Sequence, residues 1–202
     1  MLNTSLGISL TDLMAKDFDV AVLGKVVSFE RLAVYKLSKT IVQSLWRGID
    51  PVYMALMPEI NDRIKNSEYM DLKLLILKII KYMVVYSVVL VLVGYVAIKF
   101  IVMPNYGHEY SAMDDLYILM SVWVLISAPL IWGHPVAIGL NKNGISVFSG
   151  FLGSILGMLL LSLLVTSYGI YAGSIAWCMT LVVTFSLQGY WCYIEINKMI
   201  VD

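Results

Sequence analysis

Charge is scarce in this sequence. Lys and Arg number 14, Asp and Glu 14, and together they make up only 14% of the 202 residues, where a water-soluble domain carries about a quarter. With 60% hydrophobic residues and a mean hydropathy of +0.83, the soluble globular classes are excluded. There is no basic excess to neutralise phosphates, so nucleic acid is not an expected partner. Cysteine is nearly absent: Cys178 and Cys192 lie on one expected helix, about 21 Å apart at 1.5 Å per residue, too far to bridge, and read as structural thiols. The only histidines, His108 and His134, stand alone. No Cys/His cluster with ligand spacing, catalytic triad or working pair of carboxylates is present; Asp114 and Asp115 sit where helix-start capping suffices. No metal, no cofactor and no enzymatic activity are expected. A cleavable leader is not expected either, because Met1 to Leu10 lacks a basic start and Asp12, Lys16, Asp17 and Asp19 follow at once.

Long apolar runs are what the sequence does have. A span of about 20 apolar residues crosses roughly 30 Å of hydrocarbon, and Leu75 to Val102, Leu116 to Ile138, Ile145 to Val165 and Ile170 to Ile194 meet that length. Residues 2–23 and 28–58 have helical patterning but carry charge at intramembrane depth. The expectation is an all-α polytopic membrane bundle of six transmembrane helices, residues 1–202 forming a single membrane domain, with short connections that include a polar stretch from Pro58 to Asp71. Seven basic residues on one set of loops and helix ends (Arg63, Lys65, Lys73, Lys78, Lys81, Lys142 and Lys198) against Lys25, Arg31 and Lys99 on the other predict that both termini are cytoplasmic.

Two helix faces point to function. On the second helix Lys36, Lys39, Gln43, Arg47 and Asp50 fall within an arc of about 80°. A Lys or Arg at the bilayer centre costs at least about 2.5 kcal/mol, so this face should meet water, protein or an anionic substrate, with Arg47 offering a planar fork to phosphate. In a second arrangement Lys36 and Lys39 reach the headgroups and Arg47 pairs with Asp50, leaving no site. On the first helix Ser5, Ser9, Asp12, Lys16 and Asp19 form another polar face. Asp12 and Lys16 join Lys36, Lys39, Gln43 and Arg47 as candidate substrate-binding residues, although a weakly apolar helix of this kind also suits the membrane interface. The small residues Gly150, Gly153, Gly157 and Gly173 predict close packing of the last two helices. Pro51, Pro58, Pro129 and Pro135 mark expected bends, and His134 is a minor candidate for a proton-responsive group.

The runs Leu13-Met-Ala-Lys-Asp-Phe-Asp-Val-Ala-Val-Leu-Gly-Lys25, Leu32-Ala-Val-Tyr-Lys-Leu-Ser-Lys39, Ala55-Leu-Met-Pro-Glu-Ile-Asn61 and Tyr168-Gly-Ile-Tyr-Ala-Gly-Ser-Ile-Ala176 resemble the later helices of Wzx-type polysaccharide (O-antigen) flippases, members of the multidrug, oligosaccharidyl-lipid and polysaccharide flippase superfamily. The resemblance covers the whole chain and implies that it corresponds to the C-terminal bundle of a twelve-helix flippase in the bacterial inner membrane, a truncated or split half whose missing N-terminal six helices are a possible partner. It further implies flipping of a polyprenyl-diphosphate-linked oligosaccharide for cell-surface polysaccharide and lipopolysaccharide biosynthesis. The alternatives are a non-transporting scaffold or assembly subunit of polysaccharide synthesis, and half of a cation-coupled drug exporter, which would want an acidic cavity instead.

Overall fold

The computed structural model describes residues 18–106 and 112–201. Among them there is helix and no strand. Residues 18–23, helical here, are termed α1; α2 is Phe29–Arg47, α3 Asp50–Lys65, α4 Tyr69–Ala97, α5 Ala112–Ser127, α6 Gly133–Gly139, α7 Gly144–Tyr168 and α8 Ile170–Val201. Four helical stretches are long and apolar enough to cross a membrane: Tyr69–Asn105, Ala112–Gly139, Gly144–Tyr168 and Ile170–Ile200. They coincide with the four spans expected from apolar length alone.

The other two expected spans fare differently. Most of residues 2–23 lies outside the described residues. Residues 28–58 do not form one helix: α2 stops at Arg47 and α3 starts at Asp50. Pro51 supplies the cause, since it has no N–H to return to the Arg47 carbonyl, and its ring disfavours continuation of the preceding turn. Pro58 has no such effect, and α3 runs through it to Lys65. Glu59 and Arg63 pair at 3.0 Å with i, i+4 spacing, while Arg63 and Lys65 complement the negative end of the helix. The expected Pro58 to Asp71 loop therefore shrinks to Asn66–Glu68. Its Ser67 adopts φ 60°.

Packing is organised around α5 and α8. α5 buries Leu116, Tyr117, Met120, Trp123 and Val124, and continues through a 3-10 turn at Ala128–Leu130 and through α6. Pro129 forms that turn, whereas Pro135 falls in the first turn of α6, where a missing N–H costs nothing. α7 and α8 form a hairpin closed by Gly169 at φ 54°, a backbone conformation that glycine adopts without strain. Their contact runs through Gly153 and Gly157, where a Cβ would come within 2.5 Å of the Thr180 carbonyl and 1.9 Å of Thr180 Oγ1, respectively. Two other glycines depart from the expected interface. Gly150 faces open space, and Gly173 meets Leu23 and Tyr35 rather than α7. Of the four long apolar stretches, the one that contains α4 is the least enclosed, and α4 buries only the stripe Leu72, Ile76, Ile79, Met83, Ser87 and Gly94.

Candidate functional site

The expected basic face of α2 divides in two. Lys39 turns inward and is 3% exposed. Its Nζ donates to Asp19 Oδ1 at 2.9 Å and Oδ2 at 2.8 Å, and lies 5.4 Å from the centre of the Trp177 ring. Tyr35, one turn earlier on α2, donates its hydroxyl to Asp19 Oδ2; Asp19 Oδ1 also accepts from the Val20 N–H. An ammonium and a carboxylate so enclosed compensate one another, and each remaining lone pair or proton that finds a partner lowers the desolvation cost. Behind Asp19 lies a cavity of about 30 Å³, bordered by Ser154, Thr180 and Trp177. That volume suits water and is far too small for a sugar or a lipid headgroup. The pair ties α1 to α2.

Lys36, Gln43 and Arg47 stay on the outer side. Lys36 and Arg47 are exposed, Gln43 is half-buried, and Asp50 follows at the start of α3, also exposed. Lys36 and Lys39 are only 60° apart around the helix, enough for one to fall among Tyr35, Ser38 and Val42 and the other outside. Asp12 and Lys16 lie outside the described residues. No ion pair joins Arg47 to Asp50 among the described residues.

The interruption between α2 and α3 sits at a defined depth. α4 carries no charged residue from Tyr82 to Ile98, about 26 Å of helix at 1.5 Å per residue, and the centre of that length is Leu90. Gly48 packs beside Leu90 and Tyr86, and Leu45 beside Gly94. The break, with Arg47 and Asp50 on its two sides, is therefore level with the middle of the apolar length of α4. Its free backbone is partly satisfied by Tyr86, whose hydroxyl donates to the Gly48 carbonyl at 2.9 Å. Val52 and Tyr53 both donate to Ile49, so the ladder restarts past the proline. Gly48 and Ile49 keep right-handed dihedrals and donate to the carbonyls of Leu45 and Trp46, a tighter turn that re-satisfies the backbone beside a proline at membrane depth. Pro51 was among the prolines where a bend was expected, but nothing in the sequence singled out Tyr86.

Indoor aromatic contacts join the two parts of the face. Trp177 meets Trp123 edge-on with centroids 5.2 Å apart, and Trp123 lies 4.3 Å from Trp46, the neighbour of Arg47. His134 is half-buried, with Nδ1 2.7 Å from the Tyr53 hydroxyl. Cys178 and Cys192 are buried and free, their thiols directed at the carbonyls of Leu119 and Gly133. A scan against known protein families finds no match, and searches among curated proteins and solved structures find none either.

Proposed function

We propose that this chain is one bundle of a membrane transporter for an anionic lipid-linked glycan of the polyprenyl-diphosphate class, with Lys36, Gln43 and Arg47 forming the flank along which the diphosphate moves. The observation that carries this reading is the broken helix, which leaves Arg47 exposed level with the middle of an apolar helix. A guanidinium there is unaffordable against lipid and calls for a water-filled or protein-lined cavity. Discontinuous helices with polar groups at the midplane are a recurrent way of building transport sites, and a planar guanidinium suits a diphosphate better than a point charge does. One bundle lines one side of such a cavity. A second six-helix bundle would supply the other, and Asp19–Lys39 would hold α2 in place without touching the substrate. The loop charges support cytoplasmic termini, and the flippase resemblance supports an inner-membrane setting.

The test is binding of a polyprenyl-diphosphate-linked oligosaccharide to the purified full chain in detergent. Arg47→Ala should weaken binding by about tenfold, the loss of one charged hydrogen-bonding group. Arg47→Lys should lose less, and Arg31→Ala, on the opposite side of α2, should change little. Equal affinity in all of these folded variants would reject the cationic flank and favour the scaffold reading.

A further inference from the structure

The outer face of α4 carries two lysines set into an otherwise apolar surface. Lys78 and Lys81 are exposed, three residues apart, and thus neighbours on the helix. Tyr82, 70% exposed, is one turn from Lys78. Continuing along the same strip, Val85, Val89, Leu92 and Val96 are all more than half exposed; at 100° per residue they fall within about 40° of Lys78. Val85 to Val96 extends about 16 Å at 1.5 Å per residue, which matches one leaflet of a roughly 30 Å hydrocarbon core.

Neighbouring cations differ. Lys99, at the far end of the charge-free length, pairs with Asp114; Lys73 donates to Asn197 at 3.0 Å; Lys142 and Lys198 share Glu195. No carboxylate among the described residues pairs with Lys78 or Lys81. The nearest acid on this face, Asp71, is two turns away, beyond the lysines from the apolar strip. Two unneutralised ammonium groups thus stand where apolar surface begins, with a phenol beside them.

We infer that this strip is a binding site for an anionic phospholipid of the surrounding membrane: the phosphate sits between Lys78 and Lys81, Tyr82 lies at headgroup level, and an acyl chain runs along Val85, Val89, Leu92 and Val96. Charge complementarity selects the lipid, and the apolar strip matches its chain in length. The strip lies about 100° around α4 from Tyr86 and Leu90, which meet the α2/α3 interruption, and the site does not depend on the transport reading.

The experiment is native mass spectrometry of the purified full chain equilibrated with mixed phosphatidylglycerol and phosphatidylcholine. The wild type should retain phosphatidylglycerol preferentially. Each lysine near an anionic headgroup contributes about fivefold, so Lys78→Ala/Lys81→Ala should lower that preference by about 25-fold. Lys78→Arg/Lys81→Arg should keep it, as should Lys25→Ala, placed in the turn after α1. Loss of preference in the Lys25 control alone, an unchanged preference in the double alanine variant, or no preference in the wild type would overturn the site. If the double alanine variant failed to fold, titration of the wild type with rising salt would decide: the site requires the phosphatidylglycerol preference to fall, and a salt-independent preference would refute it. Displacement of phosphatidylglycerol by an equimolar polyprenyl diphosphate would also overturn it, by assigning the strip to the glycan carrier.

Discussion

Lys36 and Lys39 share a helix and a charge but not an environment. Lys39 is held by Asp19 in a setting where either charge alone is costly, so Asp19→Asn or Lys39→Met should each lower stability by about 3–5 kcal/mol, read as a fall in unfolding temperature in detergent. The double variant Asp19→Leu/Lys39→Met removes both charges and should be more stable than either single variant, by the same reasoning. Lys36→Ala should leave the unfolding temperature nearly unchanged, as exposed substitutions do. The helical period brought Lys36, Lys39, Gln43 and Arg47 to one side of α2 in the sequence. It could not separate two residues 60° apart, because which of them turns inward depends on where Asp19 and Trp177 lie in the bundle.

Among the elements, the α7/α8 hairpin and the α2/α3 break respond to different changes. Gly157 faces Thr180 Oγ1 and the Ala176 carbonyl at distances that leave no room for a side chain, so Gly157→Leu should push the hairpin apart and broaden the size-exclusion peak. Gly150→Leu, with open space around it, should elute as the wild type does. At the break, Tyr86→Phe removes the donor to the Gly48 carbonyl and should cost about 1 kcal/mol, with faster hydrogen exchange confined to residues 47–53 as the readout. The four long spans were legible because apolar length alone defines them. The 28–58 segment was not, since Pro51 and Pro58 look equivalent in sequence. Only the first coincides with an interruption of the helix; α3 runs through the second, with Ile60, Asn61 and Ile64 packed beyond it.

At the scale of the molecule, burial is uneven: 61% of the apolar window of Ala112–Gly139 is buried inside the protein, against 17% for Tyr69–Asn105. A lipid-soluble photoactivated carbene should therefore label α4 heavily and α5 sparingly in proteoliposomes, with peptide mapping as the measure. The same asymmetry explains why the sequence revealed which segments are apolar but not which is central, since a lipid-facing helix and a core helix draw on the same residues. The Asp19–Lys39 pair also bears on biosynthesis. Its members are 20 residues apart in the chain, and at about 5–20 residues per second Lys39 is synthesised about 1–4 s after Asp19. For that interval its folded-state partner is not yet made, and a carboxylate left unpaired in hydrocarbon costs about 2.5–3.5 kcal/mol. Should α1 and α2 enter the bilayer, entering together as an already neutralised hairpin avoids that cost.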